Sequence, residues 1–199
     1  PFFSGNVVPG YKVIRPRWSL PVVWVLLLAH LLLDWRGALG WLWIVDVPLA
    51  LVFIWHALRW QPWKAMHPGL LGALHLAFAW LPIAFVLFAV QDLLYLRTGS
   101  LPFVRAPLHA LGIGYFGSML VAMVTRVTQG HSGRPLEMGK VAWLCFALLQ
   151  VVVLLRLYAE FGGGDDFNPY FWLVIAAYGW LVAFAPWVLR SAWIYLTPR

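Results

Sequence analysis

Apolar stretches of about 20 residues or more recur along this chain, each long enough to cross a hydrocarbon layer of about 30 Å as a helix. That feature removes most folds from consideration, because a water-soluble domain has no place to bury so many wholly apolar segments. Of the 199 residues, 63% are hydrophobic and 11% are charged, against about 45–50% and about 25% in soluble domains. The mean hydropathy is +0.81. A soluble globular domain, a disordered chain and a disulfide scaffold are all excluded. The single cysteine, Cys145, lies in an apolar run and reads as a small buried apolar residue. It leaves no internal disulfide and no cysteine-built zinc or iron–sulfur site.

Reading apolar runs against breakers predicts an all-α, polytopic membrane helix bundle of about six transmembrane helices, with residues 1–199 as one transmembrane domain. The spans are placed at Leu20–Trp35, Leu39–Trp60, Pro68–Leu96, Pro102–Thr128, Leu136–Phe161 and Asn168–Leu196. Gln61-Pro62 closes the second, and Gly162-Gly163-Gly164 stops the fifth. Pro68 opens the third, at a position where its missing N–H costs nothing. Pro82 and Pro186 fall inside spans and are expected to kink them. The chain begins Pro1-Phe2-Phe3, with no initiator methionine and no signal-peptide pattern, which reads as a segment of a longer polypeptide.

The net charge of +7 is spread one or two bases at a time between apolar runs, the pattern of loops in a multi-span protein rather than of a nucleic-acid surface. With the N-terminus on one side, that side receives Lys12, Arg15, Arg17, Arg59, Lys64, Arg126, Arg134, Lys140, Arg190 and Arg199. The other receives Arg36, Arg97, Arg105 and Arg156. This asymmetry predicts a cytoplasmic location for the first side and for both termini. The loop at 126–140 is then cytoplasmic and Gly162–Asp166 periplasmic. The 14 tryptophans suit the two membrane–water interfaces.

Histidines carry the candidate chemistry: His30, His56, His67, His75, His109 and His131. Imidazole is costly in hydrocarbon, so within a span it faces the bundle interior, either for a function or to bridge helices. It is also a common metal ligand and a usual axial ligand of haem. His75 lies about two turns into the third span from the inner side, and His109 about two turns into the fourth from the outer side. At 1.5 Å per residue the two differ in height by roughly 15–20 Å, too far to be the two axial ligands of one haem. An inner group (His56, His75 and, from its loop, His131) and an outer one (His109 with His30) are therefore expected. His67 reads as solvated. No conspicuous chain of protonatable groups crosses the spans: only Asp46 is placed clearly within one, in the outer part of the second, and it reads equally as an interfacial carboxylate paired with Arg36 or Arg105.

The fourth span is dense in small residues from His109 to Met119. On α-helical spacing, Gly112, Phe116, Met119 and Met123 share a side with His109. Such a face suits a flat cofactor ring, and it equally suits close helix packing. Met119 and Met123 are either soft metal ligands or apolar filler. The following loop holds Arg126, His131 and Arg134 with two glycines between and around them. Arginines so placed can clamp a haem propionate or another anion. They also serve as an ordinary positive-inside stop, which leaves the histidine between glycines unexplained.

His109-Ala-Leu, Gly112, Gly117, Met119, Ala122-Met123, Arg126-Val127 and Gly130-His131-Ser132-Gly133-Arg134-Pro135 together resemble the NnrS family of bacterial inner-membrane proteins. Leu58-Arg59-Trp60, Leu74-His75-Leu76, Trp80-Leu81-Pro82 and the opening Pro1-Phe2-Phe3 extend the likeness over nearly the whole chain. Ser132 stands where the family usually has threonine, which keeps the hydroxyl. Family members are about twice as long, so the resemblance implies that this is the C-terminal half and that an N-terminal half is its partner. It further implies a haem- and copper-containing protein of nitric oxide metabolism (denitrification) and of resistance to nitrosative stress, with nitric oxide as ligand. It establishes no enzymatic reaction. By position, the implied cofactor residues are His75, His109, His131, Arg126, Arg134 and Met119, with His75, His109 and His56 as metal ligands.

Two other readings stand beside this one. In the first, the chain is half of a transporter or permease whose histidines line a polar path and whose proline kinks serve its motion. In the second, it is a membrane scaffold whose histidines only bridge helices. A Soret band in purified protein discriminates the haem reading from both.

Overall fold

The computed structural model describes residues 16–64, 66, 69–162 and 167–197. Expectations at Pro1-Phe2-Phe3, Lys12, Arg15, His67, Pro68, Gly163, Gly164, Asp165, Asp166 and Arg199 lie outside the described residues. Among those described there are six main helices and no strand: α1 (Ser19–Trp35), α2 (Trp43–Arg59), α3 (Gly69–Thr98), α4 (Ala106–His131), α5 (Lys140–Phe161) and α6 (Pro169–Leu196). Short 3-10 turns at Leu39–Trp41 and Pro62–Lys64 flank α2. The bundle is all-α, as the apolar runs predict. Five helices have the length and apolar character of membrane spans, while α1, at 17 residues, is shorter. Its rise of about 26 Å is at the lower limit for a span.

Helix ends depart from the sequence reading where local hydrogen bonding differs. Leu39–Trp41, read as the start of the second span, is instead a separate 3-10 turn. Residues 102–105 form a turn before α4. Between α1 and α2, and again between α3 and α4, the chain reverses through Gly37 and Gly99, both at φ +66°, a left-handed conformation that glycine adopts without a Cβ penalty. Asn168 caps α6, its Oδ1 accepting from Tyr170 N at 3.0 Å and Phe171 N at 3.4 Å, with Pro169 in the first turn. Pro82 and Pro186 both sit inside helices that continue past them, as does Pro48.

Helix α3 organises the packing, because apolar side chains cover both of its ends and more than one face. Its first half contributes Leu70, Leu71, Leu74 and Ala77 to a core shared with Val121 of α4, Leu149 of α5 and Trp187 of α6. Its second half contributes Phe78, Leu81 and Phe85 to a core shared with Leu49 and Phe53 of α2, against which Val23, Leu26 and Leu27 of α1 pack. Sequential neighbours pair most extensively, α5 with α6 and α2 with α3. The outer faces remain apolar. Leu28, Leu31 and Leu32 on α1, and Val182, Leu189 and Trp193 on α6, are exposed, which is the surface a lipid solvent requires.

Candidate functional site

Polar residues enter this bundle on the same stripes that bury its apolar ones. On α2, Asp46, Leu49, Phe53 and His56 follow one helical face, and all four are buried. On α3, His75, Phe78, Leu81, Phe85 and Asp92 are all buried along the helix. Ten residues separate Asp46 from His56, about 15 Å along the axis, and 17 separate His75 from Asp92, about 25 Å. Asp46 lies near the start of α2 and Asp92 near the end of α3, while His56 and His75 lie toward the opposite ends. The result is two polar levels, one of carboxylates and one of imidazoles.

At the imidazole level, His75 is 5% exposed and His56 is 7% exposed. The His56 ring lies among indoles, with centroids 4.9 Å from Trp55, 5.3 Å from Trp60 and 6.4 Å from Trp18. Arg59 stacks over Trp55 at 5.7 Å. His56 Nδ1 is buried without a hydrogen-bond partner. A polar atom left in that state is costly, so it identifies a place where a ligand would be compensated.

At the other level, His109 meets Arg156 of α5. The guanidinium has only donors, so Arg156 Nη2 donates to His109 Nε2, at 2.6 Å. The ring proton therefore sits on Nδ1, which is buried with no acceptor. Glu160, one turn beyond Arg156, and Arg105 lie close enough to act on the same imidazole. His30 does not join His109. Its Nδ1 lies 2.7 Å from Asp46 Oδ1, so the partner of Asp46 is a histidine rather than Arg36 or Arg105. Asp92, 2% exposed, lies near Asp46 and is a second buried carboxyl within a span.

The small-residue wall of α4 has a different shape from the one α-helical spacing predicts. Residues Ala110–Gly117 form a π-helical stretch, with α-helix on both sides. Its wider i→i+5 turn shifts the register between His109 and Met119. Phe116 is consequently 59% exposed, while Met119 packs against the apolar cores, so the two do not share a face. At Gly114 the small residue serves helix packing: a Cβ there would lie 2.6 Å from Trp80 Cδ2. Trp80 Nε1 in turn donates to Gln150 Oε1 at 2.6 Å, and Gln150 Nε2 donates to Ser118 Oγ at 2.8 Å, tying α3, α5 and α4 together. Gly112 has no such role, since a methyl there would meet nothing within 4 Å.

At the end of the bundle where α4 leads into α5, Arg134 lines a cleft with Arg190, Thr125, Thr128, Gln129 and Ser191. Arg126 and His131 are not among its lining residues. Arg190 carries no motif in the sequence, and it lies on α6 far along the chain from the loop it joins. His131 ends α4 and is exposed.

These placements bear on whether haem or copper fits. Among the described residues no three His, Cys, Asp or Glu side chains converge on one metal position. What is present are separate imidazole donors, of which His56 and His109 each have a buried, unpartnered ring nitrogen. The chain thus fits groups that take one imidazole from it, such as an axial haem position. The described residues do not by themselves close a multi-ligand copper centre.

The architecture and these sites define a polytopic membrane protein with histidines inside its helix bundle at two depths. The NnrS protein family model matches residues 1–199, and the chain belongs to the NnrS family. No curated protein and no solved structure matches it.

Proposed function

We propose that the protein is a haem- and copper-binding protein of the bacterial inner membrane that handles nitric oxide and contributes to resistance against nitrosative stress. Membership of the NnrS family over the full 199 residues is the observation that carries this reading. Imidazoles within the bundle support it: His56 and His75 are buried and His109 is half-buried with a buried Nδ1, positions where a haem iron or a copper ion can be kept from water. Such a metal would supply direct binding of nitric oxide. The role of the chain is to hold it in an apolar pocket, with His75 and His109 serving different centres because they lie at different depths. His109 would hold a metal through Nδ1, giving up the ring proton there, while Arg156 keeps the other nitrogen and fixes the ring. Remaining ligands come from an N-terminal half, and both termini of this segment face the cytoplasm.

Optical spectra and metal analysis of the full-length protein test the proposal. A Soret band and copper are expected in the wild type. His75→Ala and His109→Ala should remove separable parts of that content, His131→Ala less, and Met119→Leu almost none. Unchanged haem spectrum and metal stoichiometry in both His75→Ala and His109→Ala would leave the histidines as helix bridges.

A further inference from the structure

Three helices bring His30, Asp46 and Asp92 together near one end of the bundle. His30 lies five residues before the end of α1, Asp46 three residues into α2, and Asp92 six residues before the end of α3. At 1.5 Å per residue all three sit about 5–9 Å from the adjacent helix ends. Asp46 is 0% and Asp92 2% exposed. His30 Nδ1 is 2.7 Å from Asp46 Oδ1, and the buried Asp92 carboxyl lies beside that of Asp46.

Two carboxylates cannot both carry charge in contact and out of water, since an unscreened like-charge pair is far more costly there than at a surface. Asp46 Oδ2 and Asp92 Oδ2 are both buried without a hydrogen-bond partner. Ionised carboxylates only accept, so two of them side by side cannot satisfy each other. One added proton turns an acceptor into a donor and lets the carboxyls bond to each other. The helix ends decide which carboxyl keeps the charge. Asp46 is in the first turn of α2, where the positive end of the helix dipole favours an anion. Asp92 is near the C-terminal end of α3, where no such support exists.

We propose that His30, Asp46 and Asp92 form a proton-binding site. The proton bridges Asp92 and Asp46, and His30 holds the other side of the Asp46 carboxyl. The charged groups around it are His30 and Asp34 on α1, Asp46 on α2 and Asp92 on α3. The turn Leu39–Trp41, packed on α3, has no titratable side chain. On α4, which also packs on α3, His109 faces Arg105 on its own side of the bundle and Arg156 and Glu160 of α5 instead. Metal ligation is not the reading favoured, because the three side chains do not converge on a metal position. The inference stands apart from the haem and copper reading and needs neither group.

Infrared spectroscopy of the full-length protein tests it without requiring any variant. The wild type should show the carbonyl stretch of a protonated carboxylic acid in apolar surroundings, shifted on transfer to D2O and lost as pH is raised. Asp92→Asn, nearly isosteric, should abolish the band. Asp46→Asn should shift the band without removing it, because Asp92 keeps its proton against the new amide. Absence of such a band in the wild type at every pH overturns the proposal. So does a band that persists unchanged in both Asp92→Asn and Asp46→Asn, or one that ignores D2O.

Discussion

Arg156 on α5 donates to His109 Nε2 on α4 across 2.6 Å, so a half-buried cation fixes the tautomer and orientation of a half-buried imidazole. Hydrogen bonds from charged groups contribute about 1.5–3 kcal/mol when they replace unfavourable burial. Arg156→Ala should therefore destabilise the protein toward unfolding in mixed detergent micelles by roughly that amount. A double-mutant cycle with His109→Ala isolates the contact. Coupling of about 1 kcal/mol or more is expected, and purely additive losses would show that the two side chains do not depend on each other.

Glycines of α4 should divide sharply by position. A methyl at Gly114 would meet Trp80 Cδ2 at 2.6 Å, whereas one at Gly112 meets nothing within 4 Å. Overpacking of this kind costs about 1–3 kcal/mol, while an exposed substitution stays within about 0.5 kcal/mol. Gly114→Ala should thus lower the midpoint of thermal unfolding in detergent, and Gly112→Ala should leave it nearly unchanged. Equal effects from the two would contradict the helix packing at Trp80.

The spans were legible in the sequence because length and apolarity alone decide them, and the helix ends differ mainly where a 3-10 turn or a β-turn replaces the first α-turn. Depth was legible too: His56 and His75 fall at one level, and His109 at another, by counting residues along antiparallel helices. Partners were not. Asp46 and Asp92 lie where their helix stripes are buried, and His30 on the half-buried side of α1, yet nothing in the spacing says which helices adjoin. Asp92, near a span end, does not stand out as an intramembrane carboxyl until α1 and α2 are placed around it. The π-helical stretch at Ala110–Gly117 was hidden for another reason. Small residues permit a wider turn without announcing it, so a face drawn at 3.6 residues per turn from His109 reaches the wrong side by Phe116.

Orientation rests on the distribution of basic residues, with the Arg134 side richer in them. Reporter fusions after Arg134 and after Gly163 should report cytoplasmic and periplasmic locations respectively. Periplasmic activity at Arg134 would invert the bundle. The His56 and His75 level would then face the periplasm and the His30–Asp46–Asp92 level the cytoplasm.

Gln150 is an amide that joins three helices, and its removal should be felt at each. Its Oε1 accepts from Trp80 Nε1 at 2.6 Å, and its Nε2 donates to Ser118 Oγ at 2.8 Å and to Phe146 O at 3.1 Å. Ser118 is fully buried. Gln150→Leu keeps most of the volume but leaves an indole N–H and a hydroxyl without that partner, at about 1–3 kcal/mol for the unsatisfied groups. Removing both ends of a hydrogen bond costs less than removing one, since no donor is then left stranded. Trp80→Phe combined with Gln150→Leu should accordingly destabilise by less than the sum of the two single changes, measured by unfolding in mixed micelles. A sum that is fully additive would mean that the Trp80–Gln150 bond adds nothing to the packing of α3 on α5.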